Sequence, residues 1–398
     1  MDHEIEILTE LRQLKSFCRR ARAKKSIALD TEFERERTYK PILQLVQVAT
    51  RDEAVLIDPL VLEDLSPLWK LVADPEVETI LHAASQDLEI FYDKTRTLPH
   101  GIFDTQVAAA LLGMGEQPGY ADLLRRILDV RVKKQERVTD WSQRPLREAQ
   151  MQYALNDVVY LHELRDELSA RLKKKGRLRW LAQELAHFEE LDEYEVDYRR
   201  LWRRVSRHRS LDGKGLAVLR ELADWREHSA AQRNIPRNRV ITDDVLIDLS
   251  RRKPKAVDEL HVLRRLHSRE IHRSGEEILE AVQRGLEVPQ SEWPQLPSIR
   301  EDDPEILLTA DLLSVFLRRI TRKASIATSY VATKKDLVRF IERVKDGDDS
   351  ANHLPLMKGW RYELAGQHLL RMLEGKVSLS VKAKNRHIQV VETEPDPS

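Results

Sequence analysis

The sequence has a single cysteine, Cys18, among 398 residues, so it offers neither an intrachain disulfide nor a cysteine-based zinc site. A lone cysteine is typical of a reducing compartment, and we expect a cytoplasmic protein. Long apolar runs are also lacking, because nowhere do about 18 consecutive apolar residues occur. The first ten residues carry four acids instead of the basic and apolar segments of a signal peptide. We therefore expect no membrane association.

The chain also lacks an excess of charge of either sign, because 67 lysines and arginines balance 67 aspartates and glutamates. Any argument for a nucleic-acid partner must therefore come from where the charges lie. With 13 glycines and 16 prolines, the composition excludes collagen-like and low-complexity chains, and 41% hydrophobic residues suffice for buried cores. This length predicts about two to three domains. No long coiled-coil heptad occurs, so we expect a monomer.

Residues 1–175 alternate short β-branched runs with helical patterns, which is typical of an α/β domain. Strands are predicted at 26–30, 43–50, 54–58 and 79–82, and helices around 4–22, 63–73, 85–93, 104–112, 119–128 and 146–172. Residues 176–210 form a charged connector in which an acidic stretch meets an arginine-rich one.

Helical periodicity dominates the rest of the chain. It predicts a first helical domain at 211–288, a proline-rich linker at 289–304, a second helical domain at 305–380 and a tail at 381–398. The main predicted helices of these two blocks are 216–230, 243–252, 310–322, 333–345 and 358–374.

Carboxylates that could perform chemistry occur at three places. Asp30 and Glu32 end the strand SIALD two residues apart, so a pleated backbone directs both to one face. Two anions in a partly buried space repel each other and lose hydration, which a cation or proton would offset. Asp87 follows a further strand-like run, and Tyr153 and Asp157 are i, i+4 neighbours on a helix. Taken singly, these features could equally be solvated acids and a tyrosine–aspartate hydrogen bond.

In chain order these residues read D-x-E, D and Y-x3-D, and the surrounding sequence resembles the ribonuclease D family of DEDD exonucleases, tyrosine subtype. The matching stretches are DTEFERERTY (30–39), LQLVQ (43–47), HAASQDLEIF (82–91), FDTQVAAALLG (103–113), TDWSQRPL (139–146), Gln150 and YALNDVVYL (153–161). The resemblance implies a ribonuclease H-like α/β exonuclease domain with a mixed sheet. It departs mildly at Ala84, where glycine is more common, and at Gln86, where glutamate is common.

Carried over residue by residue, the resemblance implies that Asp30, Glu32, Asp87 and Asp157 are metal ligands and that Tyr153 accompanies the attacking water. Four carboxylates balance two divalent cations, and oxygen ligands favour hard ions, so we expect two Mg²⁺ or Mn²⁺ ions. The ordinary pKa of tyrosine, near 10, makes Tyr153 a poor base. We therefore expect it to hold the water by a hydrogen bond.

Two residues near these acids are expected to bind substrate. Phe33 adjoins Glu32 and could stack on or wedge against a terminal base, although plain packing is the alternative. His82 could touch the substrate or serve as an imidazole ligand.

Basic segments supply the local charge that the total does not. Three segments carry cations that suit a phosphate backbone: RLKKKGRLR (171–179), RRLWRRVSRHR (199–209) and 318–335. Trp202 could stack on a base; a solvated helix face is the alternative.

Residues 211–287 resemble the HRDC domain that follows the nuclease domain in this family, especially at N-x-P-R-N (234–238), and 354–366 looks like a second copy. The resemblance implies a ring- or funnel-like arrangement around RNA, with a purely structural role as the alternative.

Together with these features, the resemblance implies a 3′–5′ exoribonuclease that removes nucleotides one at a time from RNA such as precursor tRNA, releasing nucleoside 5′-monophosphates. One alternative keeps the fold but prefers single-stranded DNA. Another is a non-catalytic RNA-binding scaffold, against which the presence of all four acids argues.

Overall fold

The computed structural model describes residues 5–132, 139–296, 303–345 and 353–393. Its strands are β1 (Glu6–Leu8), β2 (Ser26–Glu34), β3 (Ile42–Ala49), β4 (Ala54–Ile57), β5 (Glu78–Leu81), β6 (Ile102–Asp104), β7 (Val377–Val381) and β8 (Ile388–Glu392). None of the helices in these ranges combines the length and the apolar character that a membrane crossing requires.

The α-helices are α1 (Leu11–Ala23), α2 (Ser66–Val72), α3 (Ser85–Thr95), α4 (Thr105–Leu111), α5 (Tyr120–Leu123), α6 (Glu148–Val159), α7 (Leu161–Lys174), α8 (Leu178–Ala186), α9 (Gly213–Arg233), α10 (Arg237–Val240), α11 (Asp243–Arg252), α12 (Val257–Leu260), α13 (Ser268–Glu287), α14 (Pro304–Ala324), α15 (Thr328–Val331), α16 (Lys334–Lys345), α17 (Gly359–Arg361) and α18 (Gln367–Leu373). Short π-helical turns cover Leu124–Leu128 and Tyr362–Gly366, and 3₁₀ turns occupy much of the predicted connector.

The first six strands form one mixed sheet in the order β1-β4-β3-β2-β5-β6. The pairs β1/β4, β2/β5 and β5/β6 are parallel, whereas β3/β4 is antiparallel. Ile27, Ala28 and Leu29 of the central strand β2 are fully buried. Such continuous apolar runs are typical of strands covered on both faces. The predicted α/β domain with a mixed sheet, followed by helical regions, is confirmed.

The structure agrees with the four strands predicted from β-branched runs, and it adds β1 and β6. Each of these has three residues, which is too short for an alternating pattern to be recognised. The helix predicted at 4–22 begins only at Leu11, because Glu6–Leu8 pairs with β4. No strand was predicted after residue 175, so the hairpin β7–β8, which overlaps the predicted tail, was missed.

The prediction of one continuous helix over 146–172 is wrong, because the structure interrupts it. The chain forms two helices, α6 and α7, with Tyr160 between them. Residues around Tyr160 contain neither proline nor glycine, so the local sequence gives no reason for the interruption.

The chain divides into two compact units. Of the described residues, those within 1–31, 45–193 and 299–398 form the first unit, and those within 32–44 and 194–298 form the second. The division falls inside β2, which is one continuous strand.

Within the first unit, α17 packs on α8. Arg361 forms an ion pair with Glu184, and the rings of Trp180 and Trp360 stack with their centroids 4.9 Å apart. Gly113, with a φ of 81°, lies so near this region that an added Cβ would stand 2.0 Å from the main-chain oxygen of Ser325. Only glycine fits such a left-handed close approach.

The second unit contains α9–α13 around an apolar core. Leu219, Leu222 and Val245 are fully buried in it, and Tyr39, from the segment after β2, packs against it. The helix α9 begins at an N-cap, Asp212, whose carboxylate accepts the N–H of Gly215, as expected of a capping acid.

Candidate active site

Three of the predicted acids converge at the end of β2. Asp30 and Glu32, on one face of that strand, and Asp157, near the end of α6, each place a carboxylate oxygen so that all three lie within 4.8 Å of one another. All three residues are partly exposed. The structure therefore assembles a carboxylate cluster from two segments more than a hundred residues apart in sequence.

Asp87 does not belong to that group of three. Asp87 is 5% exposed, and its carboxylate accepts a short hydrogen bond from the hydroxyl of Thr31, the residue between the two β2 acids. Thr31 is not among the predicted site residues, although its place inside D-T-E is a recognisable signal. Its hydroxyl holds Asp87 against β2, next to the cluster, and ligation by Asp87 stays a prediction.

Burial makes ionisation of these acids unfavourable. It raises the pKa of Asp157 to about 7, and it also raises the pKa of Asp87 to about 7 although the hydrogen bond from Thr31 opposes the rise. A carboxylate that loses hydration without a positive partner behaves in this way. The donor set is oxygen only, and cations would offset the unfavourable charge, so the residues fit hard divalent ions.

Tyr153 lies one helical turn before Asp157 on α6 and is partly exposed. Its ring contacts that of Trp141 with centroids 6.2 Å apart. The segment carrying Trp141 is tied down by Arg144, whose Nε and Nη2 bond the Asp58 carboxylate at 2.5 and 2.8 Å and whose Nη1 donates to the Trp141 carbonyl at 2.7 Å. The conspicuous TDWSQRPL stretch thus supports the position of Tyr153.

Gln150 joins the same stretch to α6. Its side-chain nitrogen donates to the hydroxyl of Thr139 at 3.1 Å, while its oxygen accepts the N–H of Arg147 at 3.0 Å. Gln150 is nearly fully buried, so both ends of its amide are satisfied inside the protein. Gln150 therefore helps to position α6 against the TDWSQRPL stretch, which explains its place in the family motif.

A second positioning device lies at the start of α3, which carries Asp87. Asp104 ends β6, and its carboxylate accepts N–H groups of Ala83 and Ala84 at 3.3 and 2.8 Å as well as two from the first turn of α4. Ala83 has a φ of 61°, which is uncommon for a residue other than glycine. The left-handed residue is Ala83, so the departure noted at Ala84 leaves this turn intact.

His82 is held by a chain of hydrogen bonds. The hydroxyl of Thr105 donates to the Leu81 carbonyl at 3.0 Å, and it therefore accepts from Nδ1 of His82 at 2.9 Å. Burial lowers the pKa of His82, with Asp104 opposing, so the ring is neutral at pH 7. With the proton on Nδ1, Nε2 is a hydrogen-bond acceptor.

Phe33 is partly exposed, and the guanidinium of Arg35 lies 5.4 Å from its ring centroid. One face of the ring is therefore covered by its own chain neighbour. Binding of a terminal base by Phe33 and contact of substrate with His82 stay predictions.

Two of the expected nucleic-acid contacts are wrong. Trp202 is only 3% exposed and belongs to the apolar core of the second unit, so it cannot stack on a base. Arg177, in the first basic stretch, is buried and donates to the Leu111 carbonyl at 2.6 Å and to the Ala324 carbonyl. Runs of basic residues do not show which members face solvent.

The N-x-P-R-N stretch contacts the segment that follows β2. Asn234 caps α9 in the left-handed conformation, and its side-chain oxygen accepts the N–H of Lys40 at 3.3 Å. Arg237 pairs at 3.5 Å with the buried Glu227, which accepts the hydroxyl of Tyr39 at 2.7 Å. These contacts, all inside the second unit, give the motif a structural role.

Comparison with known proteins agrees with this architecture. A family model described as 3′-5′ exonuclease matches residues 5–173, and the HRDC domain model matches residues 215–282. Ribonuclease D of Jannaschia sp. is 42% identical over 393 residues, covering 97% of this chain and 99% of the relative. Ribonuclease D of Nitrobacter hamburgensis is 38% identical over 388 residues, covering 97% and 99%.

Among solved structures, Escherichia coli RNase D, described as an exoribonuclease involved in structured RNA processing, superposes with a TM-score of 0.83 at 32% identity. The match covers 94% of this chain and 99% of that one. The fold, the two matched domains and the similarity over nearly the full length all point to the same family. The chain therefore belongs to the ribonuclease D family of 3′–5′ exoribonucleases.

Proposed function

We propose that this chain shortens RNA from its 3′ end by hydrolysis that depends on two divalent ions, Mg²⁺ or Mn²⁺, and that 3′ extensions of precursor tRNA are its substrates. The observation that carries the proposal is the convergence of the carboxylate oxygens of Asp30, Glu32 and Asp157 within 4.8 Å. The name and description of the Escherichia coli relative support RNA as substrate.

Asp30, Glu32, Asp87 and Asp157 would hold the ions through oxygen atoms alone. When bound, such ions acidify a water molecule, orient it and stabilise the leaving 3′ oxygen. Tyr153, on the same face of α6 as Asp157, would hold the water by its hydroxyl. A tyrosine, with an ordinary pKa near 10, is a poor base, so the proposed role of this hydroxyl is to orient the nucleophile.

His82 and Phe33 are the proposed contacts to the last nucleotide. The acceptor nitrogen Nε2 of His82 suits a sugar hydroxyl, which ribose supplies at both the 2′ and 3′ positions. Phe33 offers an apolar ring edge directly after the ligand Glu32. The exposed cations of 171–179 other than Arg177 would attract the phosphate backbone.

The proposal is tested with a 5′-labelled tRNA stem carrying a single-stranded 3′ extension. With Mg²⁺ the extension should shorten in single-nucleotide steps and release nucleoside 5′-monophosphates, and chelation by EDTA should stop the reaction. Asp30→Ala should abolish hydrolysis while RNA binding persists, because only a ligand is lost. The matched control is Asp258→Asn, which alters an exposed acid on α12 of the second unit.

Each alternative has its own outcome in this assay. Faster digestion of a DNA strand of the same sequence would make DNA the substrate, and binding without metal-dependent release would make the chain a scaffold. Turnover by Asp30→Ala would reject the metal assignment. We also propose a monomer acting in the cytoplasm, which agrees with a single cysteine, Cys18, whose thiol is buried.

A further inference from the structure

The interruption between α6 and α7 lies three residues after Asp157. In a continuous helix, the N–H of Tyr160 would donate to the carbonyl of Asn156, four residues earlier. In this structure the N–H of Tyr160 is directed to the carbonyl of Val158 instead. The carbonyl of Asn156 accepts a different donor, the hydroxyl of Tyr120, at 3.0 Å.

The hydroxyl of Tyr120 occupies the acceptor end of the missing helical hydrogen bond. It donates to the Asn156 carbonyl, and the main-chain N–H of Tyr160, which would be the donor end, acts to lower the pKa of this hydroxyl. A side chain inserted between the donor and acceptor of one turn is a recognised cause of a helix interruption. Tyr120 is 36 residues before Asn156, so this contact is a tertiary one.

This inserted hydroxyl stands beside the acidic cluster. Burial first, and then the charges of Asp157 and Asp30, raise the pKa of Tyr120 well above its ordinary value of 10. Its O–H is therefore a constant donor at neutral pH. Asn156, whose carbonyl it holds, directly precedes Asp157 in the chain.

The ring of Tyr120 is fixed as well. It packs against the imidazole of His82 with centroids 5.4 Å apart and an angle of 50° between the planes. His82 is in turn held by Thr105 and the carbonyl of Leu81 at the end of β5. The position of the hydroxyl is thus set from the sheet and not by α6 itself.

We propose that Tyr120 is a positioning residue for the carboxylate cluster: its hydroxyl, inserted between Asn156 and Tyr160, holds the last turn of α6 open so that Asp157 reaches Asp30 and Glu32. The metal-binding part of this inference rests on the proposed function, whereas the helix interruption does not. The hydroxyl satisfies the Asn156 carbonyl, which the interruption deprives of its helical donor.

The test is Tyr120→Phe in the full-length chain, which keeps the ring against His82 and removes only the hydroxyl. The control is Tyr330→Phe, which removes another partly buried hydroxyl, one that bonds Glu184 at 3.4 Å away from the cluster. Without the hydroxyl, the N–H of Tyr160 can close the direct bond to Asn156. Peptides spanning 153–165 should then exchange their amide hydrogens more slowly, measured without metal by mass spectrometry.

The same variant should bind Mn²⁺ about 10-fold or more weakly, measured by the electron paramagnetic resonance signal of the free ion. Loss of a group that supports metal ligands typically weakens affinity by about 10- to 100-fold. The Tm of Tyr120→Phe should stay equal to that of the wild type or rise, because a helical hydrogen bond replaces the one that is lost. The control should lose Tm and keep its Mn²⁺ affinity.

Unchanged or faster exchange at 153–165 would overturn the inference, and so would weaker Mn²⁺ binding accompanied by a fall in Tm like that of the control. If the wild type binds no Mn²⁺, the proposed metal site fails. The exchange measurement then still decides whether Tyr120 holds the helix open. Slower exchange with unchanged Mn²⁺ affinity would show that the interruption does not position Asp157.

Discussion

Replacing Asp157 with asparagine should stabilise the metal-free protein at pH 8 while it abolishes hydrolysis. Burial raises the pKa of Asp157 from its ordinary value of 3.8 to about 7. The folded state therefore binds this proton more tightly than the unfolded state does. Consequently, the free energy of unfolding falls as the pH rises from 3.8 to 7 and stays low above pH 7.

A rise of about three in pKa corresponds to about 4 kcal/mol. Asp157 keeps some exposure to water and shares its environment with other acids, which reduces the stabilisation expected for Asp157→Asn to about 2 kcal/mol at pH 8. At pH 4 and below, the carboxyl is protonated in the folded state, and the two proteins should be almost equally stable. Adding Mg²⁺ should reverse the order at pH 8, because ligand binding stabilises only the protein that binds it tightly.

The assay is urea unfolding with EDTA at pH 4 and pH 8, followed by the same series in Mg²⁺. Asp258→Asn serves as the control, because it removes one exposed carboxylate and should show no such pH dependence. A variant less stable than the wild type at pH 8 without metal would refute the reasoning. A stabilisation of equal size at pH 4 would refute it as well, because the charge would then not be its source.

Three further predictions concern other parts of the first unit. Tyr153→Phe should lower the single-turnover rate of RNA hydrolysis by about 100-fold with unchanged Mn²⁺ affinity; an equal loss of affinity would contradict its role beside the water. Arg361 lowers the pKa of Glu184 against the opposing effect of burial, so Glu184→Gln should reduce the free energy of unfolding by about 2 kcal/mol at pH 7. That loss should shrink as the pH falls below 4.5, the ordinary pKa of glutamate, and a pH-independent loss would contradict the ion pair. Gly113→Ala should destabilise by about 3 kcal/mol or more in urea unfolding, because both its positive φ and a Cβ contact at 2.0 Å oppose a side chain. Gly176→Ala, at a φ of 68° with open space around it, should cost only about 1 kcal/mol, and equal losses would contradict the close approach.

Much of the site was predictable because its parts carry local signals. The apolar run before Asp30 marks a buried strand, and the spacing of two places Asp30 and Glu32 on one face. The spacing of four does the same for Tyr153 and Asp157 on a helix. These relations follow from the geometry of one strand and one helix, and the structure preserves both.

The contacts of basic and aromatic residues were less predictable. Arg177 and Trp202 stand in cationic stretches that suggest solvent exposure, yet both are buried. A long arginine stem and an indole ring contribute to a core as readily as to a binding surface. Burial depends on what packs against a segment, and local charge does not record that.

The sequence by itself determined the longer strands of the sheet, most of the helices and the acids at their ends, because hydrophobic period and residue spacing are properties of a few consecutive residues. Only the tertiary structure decided that α6 ends where it does, that Thr31 holds Asp87, and that the hydroxyl of Tyr120 donates to the carbonyl of Asn156. The physical reason is that each of these hydrogen bonds joins groups tens of residues apart, and which distant groups meet depends on how the whole chain packs.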